Sequence, residues 1–253
     1  RSLRVANAIK LHDGAVLTLN NQSYVTGEIK GFSDNKGTVV INGHVVARGA
    51  FGTASNSLNL VRLEDDANLD MNADNAVDAT TINLGDNSLL TVGSGAFVAS
   101  VQGTEDGQGS VTFGQNDQNN QNKTLTGSLG AVNKTLENII INADVSLDAA
   151  TNNVAIRATG LTLNNGSTLR IGTGALAASV VSAADNDGTI SIEGDNILSG
   201  SLGTDANSIG TISVAAGKIV NASTRDVYAN NMSLGSAAVF TVGTGALKAN
   251  TFD

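Results

Sequence analysis

Three stretches of this chain are copies of one another: Ile82–Ser100 (INLGDNSLLTVGSGAFVAS), Leu161–Ser179 (LTLNNGSTLRIGTGALAAS) and Met232–Asn250 (MSLGSAAVFTVGTGALKAN). A fainter copy begins at Ile9, so successive copies start 73, 79 and 71 residues apart. Self-similarity at this period, made of short strand-like pieces, points to a stacked solenoid whose units bury their apolar faces against one another. The units run approximately 9–81, 82–160 and 161–231, with a partial unit 232–253, and form one continuous solenoid. The chain begins and ends in mid-pattern, which reads as a piece of a longer protein.

Two further anchors recur. Gly37-Thr-Val-Val-Ile is matched by Gly109-Ser-Val-Thr-Phe and Gly188-Thr-Ile-Ser-Ile; Gly49-Ala-Phe-Gly52 is matched by Gly127-Ser-Leu-Gly130 and Gly200-Ser-Leu-Gly203. The distance between these two anchors is 12, 18 and 12 residues, so the middle unit carries six extra residues in one place. They fall around Gln115, Asn116, Asp117, Gln118, Asn119, Asn120, Gln121 and Asn122, a run without apolar residues. A solenoid accepts insertions where its backbone faces water, which makes this run the candidate exposed interaction loop.

Inside the anchors apolar and polar residues alternate, as in Ile82/Leu84, Val111/Phe113, Leu161/Leu163, Leu169/Ile171, Ile190/Ile192 and Ile212/Val214. A period of two means strands with one buried face. The stretches 175–184 and 214–220 also admit a short helix, though their β-branched residues favour strands. The chain has no Pro, which suits a stack in which nearly every strand is interior and a Pro would delete a ladder hydrogen bond. Coils of roughly 20–25 residues would give about 10–12 turns, with Asn side chains at corners capping backbone groups or stacking in ladders. An antiparallel sandwich per unit is disfavoured, because no linker separates the units.

Aromatics make up 3% and Trp is absent, so the core is narrow and aliphatic. A net charge of −9 with no cluster of Lys and Arg excludes nucleic acid and anionic lipid as natural partners. There is no Cys for disulfide or thiolate chemistry, and no apolar run long enough to insert in a membrane as a helix.

The residues offer little chemistry. Glu64-Asp65-Asp66 and Asp185-Asn186-Asp187-Gly188 supply the weak calcium candidates Glu64, Asp66, Asp185 and Asp187, but the loop geometry and distant Glu of an EF-hand are missing. A solvated corner and a turn account for them more simply. His12 and His44 are the only histidines and occupy non-equivalent places. Gly93-Ser94-Gly95, repeated at 172–174 and 243–245, is a corner that needs glycine, since no helix follows to hold an anion. No catalytic or cofactor-binding residue is expected.

At Gly-Thr-Val-Val-Ile-Asn-Gly (37–43), Val-Ala-Arg-Gly-Ala-Phe-Gly (46–52), Ser57-Leu58-Asn59-Leu60-Val61 and Asp78-Ala79-Thr80-Thr81-Ile82 the chain resembles the passenger repeats of bacterial autotransporters. It is most similar to the rickettsial surface cell antigens and outer-membrane protein B. The resemblance implies a right-handed parallel β-helix displayed on the bacterial surface, serving adhesion or a protective layer, with a host receptor or neighbouring copies as partners. A filament or surface lattice joined through the ends of the helix, and a carbohydrate-active β-helix enzyme, are the alternatives.

Overall fold

The computed structural model describes residues 2–21, 23–71, 74–114 and 122–253. Every regular element among them is a strand, 26 in all, and the strands pair in parallel into a β-solenoid of about 11 turns with about 21 residues per turn. At about 4.8 Å per turn the rod is roughly 50 Å long. The stretches 175–184 and 214–220 contain the strand Leu176–Ser182, a turn and the start of the strand Ile219–Ala222.

Three columns of strands run along the rod. One is a nine-stranded sheet from Ser2–Arg4 to Leu176–Ser182; a second runs from Val16–Asn20 to Phe97–Gly103; a third runs from Lys123–Thr124 to Leu247–Phe252. The alternation read from the sequence sets the inside of each. Ile82, Leu84, Val111, Phe113, Leu161, Leu163, Leu169, Ile171, Ile190, Ile192, Ile212 and Val214 are all buried, while the residues between them face outward. The core is one aliphatic column, with Phe51 and Phe113 fully enclosed and Phe97 set edge-on to Phe113 at 5.6 Å.

The sequence units do not stack upon themselves. From Ile9 the ladder takes three steps, through Ile29 and Phe51 to Val77, and the strand Val77–Leu84 then carries Ile82 onto the next column. From Ile82 three steps lead through Val101 and Leu129 to Ile156, and the strand Ile156–Leu163 carries Leu161 onward. From Leu161 three steps lead through Val180 and Leu202 to Val227, and Val227–Leu234 carries Met232 onward. Each unit thus fills three full turns plus one face, and equivalent residues appear on successive sides of the rod. Ladder shifts between Asp78 and Thr81, and between Arg157 and Gly160, mark where the first two of these strands bend around the corner.

The anchors have physical causes in this arrangement. Phe51, Leu129 and Leu202 are fully buried and make the isolated bridges that hold one turn to the next. The glycine after each, Gly52, Gly130 and Gly203, has φ of 80°, 76° and 73°, and a Cβ there would lie 1.8, 1.9 and 2.3 Å from the carbonyl oxygens of Asp78, Arg157 and Tyr228. Only glycine satisfies both conditions. The insertion leaves the ladder intact: Val39 to Val61 and Ile190 to Ile212 are 22 residues apart, Val111 to Ile139 is 28, and all three pairs are ladder partners. Asn amides act as the sequence suggests. Asn250 Nδ2 donates to Asn230 Oδ1 at 2.9 Å, and Asn142 Nδ2 caps the carbonyl of Gly114 at 2.7 Å.

Candidate functional site

Two outward features recur from unit to unit. The first is a corner clamp. Asp34, Asp106 and Asp185 hold equivalent turn positions, and each accepts through Oδ1 the N–H of a residue in the adjoining turn: Ser57 at 3.2 Å, Thr135 at 3.1 Å and Ser208 at 3.0 Å. The hydroxyls of Thr135 and Ser208 donate to the same oxygens at 2.6 and 2.5 Å. These donors hold the Asp106 and Asp185 carboxyls below the usual carboxylate range. Asp78 moves the other way, pushed up by burial and by the Asp34 charge.

The second feature is an outward recess beside the ladders Val45–Leu69–Leu90, Lys123–Leu147–Leu169 and Asn196–Val220–Phe240, which occupy equivalent places in the three units. The recess that opens in the first unit and runs into the second measures about 340 Å³ and is lined by His44, Asn68, Asp70, Leu89, Thr91, Thr112 and Asn142 among others. In the third unit it is larger, about 580 Å³, and more apolar, with Thr173, Ala175, Asp195, Ile197, Ile219 and Asn221 around it. In the middle unit the equivalent surface holds ion pairs. Arg170 Nη1 meets Asp148 Oδ2 at 2.7 Å, while its Nε and Nη2 meet Glu193 Oε1 and Oε2 at 2.7 and 2.8 Å. Hydrogen bonding to Glu193 raises the Arg170 pKa. Burial pushes Asp148 up, but donors from Thr151 and Ala150 together with Arg170 outweigh it, and its carboxyl lies below the ordinary value.

Of the candidate loop, residues 115–121 lie outside the described residues. Asn122 is exposed, and its Oδ1 accepts the N–H of Ser146 at 2.9 Å, as Asp195 Oδ1 accepts that of Ile219 at 2.8 Å. Asn122 therefore holds, at the rim of the middle unit's recess position, the place that Asp195 holds in the third unit. Glu64 pairs with Arg62 at 2.5 Å, and Asp66 is the left-handed residue of its turn, with φ of 58°. Asp185 is engaged in its clamp, and Asp187 is half-buried in the following strand, where its carbonyl accepts from Ser182 Oγ at 2.6 Å. Glu64 and Asp66 are separated from Asp185 and Asp187 by about five turns of the ladder. Among the described residues no three His, Asp or Glu side chains gather where they would hold a metal ion. His12 stacks on Phe32 with ring centroids 4.1 Å apart. Gly95, Gly174 and Gly245 sit where a Cβ would lie 2.1–2.2 Å from a backbone oxygen of the neighbouring turn.

Sequence reasoning passed over Lys123. It is 5% exposed at a core-facing position, its Nζ donates to the carbonyl of Ser94 at 2.8 Å, and burial lowers its pKa to about 8. Aligning the three units supplies the missing signal, because Val45 and Asn196 fill the same place. Asn196 also donates to a glycine corner, with Nδ2 2.9 and 2.8 Å from the carbonyls of Gly172 and Gly174.

Comparison with protein-family models, with curated proteins and with solved structures gave no match.

Proposed function

We propose that this chain is the rod of a bacterial cell-surface protein, a non-enzymatic stalk that carries adhesive surfaces away from the cell. The observation that carries this reading is the three-and-one-third-turn unit. An unbroken parallel ladder gives a stiff shaft, and each unit presents its clamp and the surface equivalent to the recess a third of a turn further around it, so one molecule offers related surfaces on several sides. Such an arrangement suits multivalent contact, in which modest individual affinities combine. The likeness of the repeats to autotransporter passengers supports surface display.

The test is adhesion. Beads coated with the purified chain should bind host cells, with soluble chain competing; equal binding by uncoated and coated beads would overturn the reading.

A second reading, a surface-lattice subunit, is favoured by one stripe. Ile197, Ile219 and Val239 are 70%, 54% and 48% exposed along neighbouring strands of the third unit and the partial unit after it, more apolar surface than a shaft in water needs. Lateral contact between copies would cover it. Sedimentation of the Ile197→Ser/Ile219→Ser variant beside the parent chain distinguishes the two.

A further inference from the structure

The recess of the first unit runs along the rod. His44 belongs to one turn, Asn68 and Asp70 to the next, Leu89 and Thr91 to a third, and Thr112 to a fourth. Asp70, Thr91 and Thr112 are direct ladder partners, so three hydrogen-bonding side chains stand in a row at about 4.8 Å intervals. That interval is close to the advance of one ring in an extended pyranose chain. All three point outward and line the recess.

The chemistry of the lining narrows the ligand. A carboxylate accepts from paired hydroxyls, Thr hydroxyls and the Asn68 amide both donate and accept, and Leu89 offers an apolar patch to the C–H face of a ring. Among the described residues lining the recess there is no Lys or Arg, and the chain as a whole carries −9. Its field repels sulfated and carboxylated glycans and leaves uncharged ones.

We infer that this recess binds an extended, uncharged oligosaccharide lying parallel to the rod axis, with successive rings facing Asp70, Thr91 and Thr112. The inference rests on the adhesive reading and gives it a ligand class. In the third unit Asn221 stands where Asp70 does and Ile219 where Asn68 does, so the two recesses differ in what they accept.

The test is calorimetric titration of the whole chain with cellotetraose, mannotetraose and chitotetraose, with a heparin tetrasaccharide as the charged comparison. At least one uncharged tetrasaccharide should bind ten-fold or more tightly than heparin. Asp70→Asn and Thr91→Val/Thr112→Val should each weaken that binding ten-fold or more with an unchanged circular dichroism spectrum and melting temperature, while Asp13→Asn, at an exposed carboxylate outside both recesses, leaves it as it was. Failure of all three sugars to bind, a preference for heparin, or indifference to the substitutions would each overturn the inference. Bead adhesion measured on the same preparations separates the two ideas. Cells bound without sugar binding refute only the ligand, and sugar bound without cell adhesion refutes only the adhesive role.

Discussion

Lys123 reaches from one turn of the solenoid to the carbonyl oxygen of Ser94 in the turn before it, 2.8 Å away, from a core position that Val45 fills in the first unit. An ammonium in that position is costly, since burial strips its hydration and one carbonyl restores little of it. The folded chain releases this proton at about pH 8, whereas the unfolded chain keeps it to about 10.5. Between those values the unfolded state binds more protons, so stability rises with pH across the window and is lowest, and flat, below it. Lys123→Met should raise stability at pH 7 by on the order of 1 kcal/mol, the relief of the charge being partly offset by loss of the Lys123 hydrogen bond to the Ser94 carbonyl. Urea denaturation at pH 7 and pH 10.5 checks this: the gain should vanish at the higher pH.

Ala237 has φ of 59° at the turn position that Gly14, Asn87 and Gly166 occupy in the other copies, with φ of 71°, 50° and 68°. An L-residue pays about 1–2 kcal/mol for this conformation, and glycine returns part of the gain through the entropy of the unfolded chain. Ala237→Gly should stabilise by about 0.5–1 kcal/mol, read as a higher urea midpoint at constant slope.

Gly130→Ala and Gly14→Ala separate backbone conformation from crowding. Both glycines have positive φ, but a Cβ at Gly14 meets nothing within 4 Å, while one at Gly130 would lie 1.9 Å from the carbonyl oxygen of Arg157. Gly14→Ala should cost about 1 kcal/mol; Gly130→Ala forces two turns apart beside the bridge residue Leu129 and should cost roughly 3 kcal/mol or more. Thermal melts of the two variants order them.

The Arg170 network should answer to acid. The folded-state pKa of Asp148 is depressed, so its contribution is present above the ordinary value of 3.8 and is lost as pH falls through the lower folded value. Arg170→Met leaves Asp148 without its cation and should cost roughly 1–3 kcal/mol at pH 7. Denaturation between pH 2 and 6 should show a shallower acid loss in Asp148→Asn than in the parent.

Much of this fold was legible in the residues. Alternation at Ile190/Ile192 and its counterparts identified the strands, because a strand with one wet face leaves that mark directly. The six extra residues before Lys123 were placed by anchor spacing alone, and the ladder from Val111 to Ile139 shows that they only lengthen one turn. Like positions of successive turns were expected to pile up, but like positions of successive units do not. Spacings of 73, 79 and 71 are not whole multiples of a turn of about 21 residues, and the remainder is the one-face advance. The recesses were hidden for a related reason: His44, Asp70, Thr91 and Thr112 come from four turns and no short motif joins them. Lys123 was hidden because a Lys in a polar stretch looks solvated until its neighbour Leu147 fixes which way the strand faces.

The face advance is the claim on which the display of equivalent surfaces depends, and the absence of Cys makes it open to spin labelling. Thr112 and Val181 lie three ladder steps apart on one face, whereas Ser191, the counterpart of Thr112 in the next unit, lies on another at nearly the same height. Electron paramagnetic resonance distances on Cys pairs at 112/181 and 112/191 are the direct measurement. The first pair should read roughly 14 Å between backbones, and the second, with a face-to-face separation of about 10 Å added at right angles, roughly 17 Å or more. Equal distances for the two pairs would place successive units one above another and contradict the account.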